Sequence, residues 1–229
     1  MSADTSVFIQ VNHLNKQVKS GDSKITILRD VNLTIQTGES VAIQGASGSG
    51  KTTLLTLLAG LDLPTQGDIY FKQQPLHQLN EEKRALLRGQ YVGFIFQSFQ
   101  LLSTLTALEN VMLPLEIQYV APKQAKQMAS AWLQHVGLEK RMHHYPAQLS
   151  GGEQQRVAIA RAFVKQPQII FADEMTGNLD NQTGEKIMAQ LFALQQTHRT
   201  TFVLITHDMN LAARCQRRLL LRDGVLQPC

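Results

Sequence analysis

Gly45-Ala46-Ser47-Gly48-Ser49-Gly50-Lys51-Thr52 satisfies the pattern G-x-x-x-x-G-K-[ST] and follows directly on the short apolar run Val41-Ala42-Ile43. Glycines at these positions let backbone amides turn inward around an anion, where a Cβ would obstruct the approach. The pattern predicts a phosphate-binding loop. Lys51 supplies a point charge to the β- and γ-phosphates of a nucleotide, and the Thr52 hydroxyl goes to Mg²⁺. Thr53 continues the segment into a helix whose positive end faces the same anion. A plain glycine- and serine-rich turn is the alternative, and the strand immediately upstream disfavours it.

Ile169-Ile170-Phe171-Ala172 is an apolar run that ends in Asp173-Glu174. Neighbouring side chains at a strand end point to opposite sides, so two carboxylates there can serve different targets. Asp173 is expected to hold Mg²⁺, directly or through water, and Glu174 to face an attacking water as general base. Alone, such a run is more often a strand meeting solvent; the glycine loop upstream reverses that weighting. Leu149-Ser150-Gly151-Gly152-Glu153-Gln154 contains S-x-x-E, a capping box. A cap does not call for two glycines in the first turn, where they weaken a helix. They suit a phosphate that must come close to the backbone of Ser150, Gly151 and Gly152.

These groups need a frame to hold them. Strand patterns occur at 7–11, 31–35, 41–43, 68–71 and 92–96. The helix after the glycine loop should stop at Gly60, and one starting at Asn80-Glu81-Glu82 should end near Gly89. From 97 to about 148 strand signals vanish, and helical spacing takes over at 107–117 and 123–136. Helices at 153–164 and 183–195 then alternate with strands at 169–172 and 201–205, as in a parallel sheet covered on both faces.

The 229 residues can hold one large domain or two intimate subdomains. The 22 Lys and Arg against 18 Asp and Glu leave a formal charge of only +4, and no dense basic run builds a nucleic-acid stripe. Arg214, Arg217, Arg218 and Arg222 are expected to form a solvated or partner-facing surface, and no nucleic-acid partner is expected. Cys215 and Cys229 are expected as unpaired thiols in a reducing cytoplasm. No apolar stretch is long enough to span a bilayer, and the first residues lack a signal-peptide pattern. A cytoplasmic location follows as the expectation, with any membrane attachment made through a partner.

With these motifs in this order, the chain resembles the ATP-binding cassette (ABC) ATPases over essentially its whole length. The resemblance implies a P-loop NTPase core of α/β class: a mostly parallel sheet with an antiparallel β part near the N-terminus, and a helical subdomain. It divides the chain into a nucleotide-binding core, 1–96 and 151–229, and a helical subdomain, 97–150. It implies ATP and Mg²⁺ as ligands. The 149–154 stretch matches the family signature, which contacts the γ-phosphate of ATP on the opposite subunit, so that two chains sandwich two nucleotides. Gln97 matches the glutamine that senses Mg²⁺ and the γ-phosphate. Asn178-Leu179-Asp180 matches the loop along the dimer seam, and His207 matches the histidine that positions the γ-phosphate and water.

Finer stretches, Phe96-Gln97-Ser98-Phe99-Gln100-Leu101-Leu102, Leu105-Thr106-Ala107-Leu108-Glu109-Asn110-Val111 and Thr176-Gly177-Asn178-Leu179-Asp180, resemble the lipoprotein-release and macrolide-export group of that family. The implied partners are a second copy or a homologous ATPase chain, and an integral membrane permease on the inner face of the cell membrane. Phe99, Leu101 and Leu102 are candidate contacts to that permease. Rival expectations are a soluble ABC ATPase of the DNA-repair or ribosome-associated kind, and a catalytically silent cassette. Two residues depart from the family pattern. Val18 stands where an aromatic residue usually stacks on adenine, which predicts poor discrimination between ATP and GTP. Met175 stands where proline usually follows the catalytic glutamate, which restores a backbone N–H; a working enzyme is still expected.

Overall fold

The computed structural model describes residues 6–21, 23–175 and 181–229. The chain divides into two compact units, one formed by residues up to Gln90 together with Thr200–Cys229, the other by Tyr91–Arg199.

In the first unit, β1 (Val7–Ser20) and β2 (Ser23–Gln36) form a long antiparallel hairpin, and β1 pairs on its other side with β4 (Gln66–Phe71), which carries the short β5 (Gln74–Pro75). Alternating Val31, Leu33 and Ile35 are buried, as period-two patterning requires. The hairpin is much longer than the alternating stretches 7–11 and 31–35 suggest. Its register shifts between Val11 and Leu14 and again between Leu14 and Lys16. His13 and Asp30, both at positive φ, meet across the bulge with Nδ1 and Oδ1 2.7 Å apart. Bulges break the period and hide the strand from a pattern search.

The same unit holds β3 (Ser40–Gln44), buried throughout, with β8 (Thr201–Ile205) and β9 (Arg217–Arg222) parallel to it on either side. β10 (Val225–Pro228) runs antiparallel to β9. Helix α1 (Lys51–Leu58) buries Leu54, Leu55, Leu57 and Leu58, and the chain leaves it through Gly60 at φ 67°. Helix α2 (Glu81–Tyr91) starts as expected, with Asn80 Oδ1 accepting the Lys83 N–H at 2.9 Å. It runs through Gly89 instead of ending there, since that glycine keeps helical backbone. The short α7 (Met209–Ala213), β9 and β10 were not marked by the sequence patterns above. Arg217, expected on a solvated or partner-facing surface, lies on β9 with its guanidinium paired to Glu39 (Nε to Oε1 3.0 Å) and bonded to Thr34 O; Arg218 and Arg222 are exposed.

In the second unit, β6 (Val92–Ile95) and β7 (Ile169–Asp173) pair in parallel, Val92 opposite Ile169 and Ile95 opposite Ala172. Around them lie α3 (Ala107–Glu116), α4 (Pro122–His135), α5 (Gly151–Phe163) and α6 (Asn181–His198). Helix α5 packs so close to β6 that a Cβ on Gly93 would lie 2.8 Å from Ala162 O. Trp132 of α4 stacks on Phe163 of α5 with ring centroids 5.5 Å apart. Residues 97–150 carry α3, α4 and short 3₁₀ turns, and no strand. Parallel pairs on β3 and between β6 and β7, and an antiparallel part at the N-terminus, match the expected fold class. Cys215 is buried and Cys229 exposed, both as free thiols; burial pushes the Cys215 thiol up to about 12.

Candidate functional site

β3 delivers the chain into the glycine loop. Gly45 turns where a Cβ would lie 2.3 Å from Leu221 O, a backbone atom of β9 where that strand pairs with β10. Gly48 has φ 77°, yet an added Cβ there would meet nothing within 4 Å. Its glycine serves backbone conformation and the approach of a ligand, not protein packing. Gly50 caps α1 at φ 99° and brings no side-chain oxygen to the helix end, which leaves that end suited to an anion.

Lys51 is only 7% exposed. Its Nζ donates to Gly45 O at 2.9 Å and Ala46 O at 2.8 Å, so the side chain folds back across the loop. A buried ammonium held by neutral carbonyls is a strong attractor for an anion. Ser49 Oγ is buried and has no hydrogen-bond partner among the described residues, a second polar atom that an incoming phosphate would satisfy. Ala46 and Ser47 form the exposed rim, Thr52 faces outward, and Thr53 is half-buried. Beside the loop opens a cavity of about 570 Å³, walled by Ile25, Ile27 and Arg29 of β2 and by the β9–β10 turn at Asp223. Its lining holds no aromatic ring. Val18, on β1 opposite Ile25, is 37% exposed.

β8 runs parallel to β3 with Ile205 opposite Ile43, so the two strands end at the same edge. His207 follows two residues later and is exposed. Its neighbours fix the backbone on either side: Thr206 N–H donates to Ile43 O at 3.3 Å, and Thr206 Oγ1 accepts the Asp208 N–H at 3.0 Å. Asp208 Oδ1 in turn accepts the Asn210 and Leu211 N–H groups and caps α7. The structure therefore brings His207 to the strand edge from which the glycine loop departs.

The second unit gathers the remaining predicted groups at comparable places. Asp173 ends β7, and Glu174 follows it at φ 41°, a left-handed conformation uncommon outside glycine. Such backbone clusters at functional sites. Met175 is buried. Because β6 and β7 are parallel and in register, Gln97 leaves the same end of this pair as Asp173 and Glu174.

Ser150 is the exposed N-cap of α5, with both halves of a capping box. Its Oγ accepts the Glu153 N–H at 3.3 Å, and Glu153 Oε2 accepts the Ser150 N–H at 2.8 Å. The Ser150 backbone hydrogen bond is the main reason the Glu153 carboxyl lies below its usual range; Arg141, 3.0 Å from Glu153 Oε1, adds to it. Gly151 and Gly152 form the first turn, so capping and backbone access coexist. Asp180 lies outside the described residues, with its neighbours Thr176 to Leu179.

The motifs assign no structural role to the residues that hold these segments. Asn110, fully buried on α3, accepts the Leu102 N–H at 2.8 Å and donates to Leu102 O, Leu105 O and Thr106 O. Arg161 of α5 donates to Phe99 O and Gln100 O. The only sequence signal for the second is a charge inside the small and apolar run from Val157 to Val164.

A model of the ABC transporter family matches residues 28–177. The chain is 52% identical over 219 residues to the ABC transporter ATP-binding protein YbbA of Escherichia coli K12, covering 96% of each. It is 46% identical over 222 residues to the lipoprotein-releasing system ATP-binding protein LolD of Idiomarina loihiensis, covering 97% of each. Among solved structures, the ATP-binding cassette MJ0796, in a dimeric post-hydrolysis state bound to ADP and Pi, superposes with a TM-score of 0.89. The identity is 41%, over 96% of this chain and 98% of that one. A second dimeric structure of MJ0796, described as a bacterial ABC transporter cassette, gives 0.89 at 43% identity.

Proposed function

The chain belongs to the ABC transporter family of ATP-binding proteins, and from that premise we propose that it drives a separate membrane permease as one half of a nucleotide-sandwich dimer. Its fold is that of the ABC ATPases, and its activity is hydrolysis of ATP to ADP and phosphate. The observation that carries the site assignment is Lys51: a buried ammonium, bonded to the carbonyls of its own loop, at the mouth of a turn built from glycines.

On nucleotide arrival the Lys51 ammonium turns from Gly45 O and Ala46 O to the phosphate oxygens, and the amides from Ala46 to Thr53 surround them. Thr52, Gln97 and Asp173 offer hydroxyl, amide and carboxylate oxygens, a hard donor set suited to Mg²⁺. That ion, when bound, neutralises charge on the β- and γ-phosphates. Glu174 takes the proton of the attacking water as its oxygen bonds to the γ-phosphorus and the bond to the β-phosphate oxygen breaks. His207 holds the γ-phosphate in line. Ser150, Gly151 and Gly152 of a second copy close over the same nucleotide, with Asp180 at the seam. A population shift to the closed dimer follows because ATP binds that state better than the open one.

No helix among the described residues is long and apolar enough to cross a membrane. The location we propose is peripheral, at the cytoplasmic face, with the permease as the anchor and residues 97–150 as the part that meets it. The test is Glu174→Gln. It should keep ATP binding, lose turnover by about 10²-fold or more, and elute as an ATP-trapped dimer in size-exclusion chromatography. Undiminished hydrolysis would refute the assignment of Glu174.

A further inference from the structure

The segment after Gln97 has no regular structure until α3, yet its backbone is fixed at several points. Phe96 O accepts the Phe99 N–H at 3.0 Å, closing a turn with Gln97 and Ser98 in its middle, and Ser98 O accepts the Gln100 N–H at 2.6 Å. The chain leaves this turn through two successive left-handed residues that are not glycine, Phe99 at φ 60° and Gln100 at φ 46°. L-residues persist there only when their surroundings over-determine the conformation.

Arg161 supplies that determination. Its Nη2 donates to Phe99 O at 2.7 Å and its Nη1 to Gln100 O at 2.5 Å, so one planar guanidinium grips two consecutive carbonyls. Burial pushes the Arg161 pKa down; the two carbonyls offset the desolvation that causes it. Further along, Asn110 fixes Leu102, so the turn has little freedom to move independently of its clamps.

Arg161 belongs to α5, the helix whose first turn is Ser150-capped and carries Gly151 and Gly152. Along the helix axis the cap and the guanidinium-bearing residue are about 16 Å apart at 1.5 Å per residue. A continuous helix of this length transmits a displacement of one end to the other.

We propose that Arg161 is a positioning residue that ties the Ser150–Gly152 end of α5 to the Gln97 turn, so that a nucleotide phosphate engaged at that end sets the placement of the Gln97 amide. The inference rests on the roles given above to Gln97 and Ser150. It adds a route, inside one unit, by which a nucleotide held at the helix end by one chain bears on hydrolysis at that chain's own Gln97.

A double-mutant cycle tests it. Arg161→Lys keeps charge and stem but replaces the fork with a single ammonium. Folding is followed by the fluorescence of Trp132, the only tryptophan of the chain. ATP affinity should stay within about threefold of the parent, because the Lys51 loop belongs to the other unit. The kcat should fall by about 10²-fold, as for a misplaced reacting group, and Gln97→Ala combined with Arg161→Lys should be no slower than Gln97→Ala alone. Losses that multiply, or a parental kcat in Arg161→Lys, overturn the inference. Should Arg161→Lys not fold, the cycle is run with Arg161→Gln, whose amide still donates to one carbonyl, and the same outcomes decide. A parental kcat in Gln97→Ala removes the role of Gln97 and this inference together, leaving the Glu174 assignment standing.

Discussion

Asn110 offers the sharpest test of how the loop beyond Gln97 is held. Its side chain is fully buried and makes one accepted and three donated contacts, to Leu102 N, Leu102 O, Leu105 O and Thr106 O, at 2.8 to 3.1 Å. An amide NH₂ has two hydrogens, so the three acceptors share two donors. Counting about three full bonds at about 1 kcal/mol each gives about 3 kcal/mol for Asn110→Ala. With a urea m-value of about 2 kcal/mol/M, the unfolding midpoint should fall by about 1.5 M. Trp132 lies in the same unit, so its fluorescence reports that transition directly. Asn110→Asp sharpens the test, because a carboxylate can still accept from Leu102 N but sets anionic oxygen against three carbonyls with no donor between them. Aspartate should therefore be worse than alanine, although it is nearly isosteric with asparagine. A midpoint for Asn110→Ala within about 0.3 M of the parent, or an aspartate variant at least as stable as the alanine one, would refute the reasoning.

Gly45→Ala sets a Cβ against Leu221 O, a backbone atom of β9 where that strand pairs with β10. A loss of about 1–3 kcal/mol in stability and of at least about tenfold in ATP affinity by calorimetry is expected, and an unchanged affinity would count against the loop assignment. The Glu109 and Glu153 carboxyls both lie below the ordinary 4.5, chiefly through the backbone hydrogen bonds from Thr106 and Ser150 to which they are the acceptors. Groups depressed in the folded state contribute stability above their unfolded pKa and lose it as pH falls through the folded one. The urea midpoint should thus drop between about pH 5 and about pH 3, and replacing both with Gln should flatten that drop; an unchanged acid slope would rule it out. Val18 leaves the base without an aromatic partner, so ATP and GTP should compete almost equally. Val18→Tyr should raise ATP affinity about fivefold or more, the lower end of base–aromatic stacking; a strong ATP preference in the parent would end this reading.

The elements legible in the sequence are those whose pattern is complete within themselves. β8 spans 201–205 in pattern and in structure, because a strand buried on both faces is a continuous apolar run. α5 begins at Gly151, two residues ahead of the expected start at 153, because the Ser150 cap and not hydrophobicity sets the start. The β1–β2 hairpin was only half legible, since its outer part is exposed and bulged at His13 and Asp30. β9 was hidden in a different way. Leu219 and Leu221 are buried, Leu220 between them is half-buried, and Arg218 and Arg222 on either side are exposed, an alternation that the arginine cluster obscured.

The candidate site divides along the same physical line. Lys51 and the loop glycines are legible because the requirement they meet, close approach of backbone to phosphate, can only be met by those residue types. Gln97 and His207 carry no such mark of their own and became candidates only through their order relative to the loop. The sequence suggests no positioning role for Arg161, Asn110 or Thr206, because each spends its hydrogen bonds on main-chain atoms, and any residue can present a carbonyl or an amide. Yet these are the side chains that hold the backbone next to Gln97 and His207. Residues that touch a ligand are constrained in type by the ligand's chemistry, whereas residues that aim them are constrained only by geometry. The second set has to be found by following hydrogen bonds from the site into the backbone, and in this chain that path runs from the Gln97 turn through Arg161 into α5, the helix capped by Ser150.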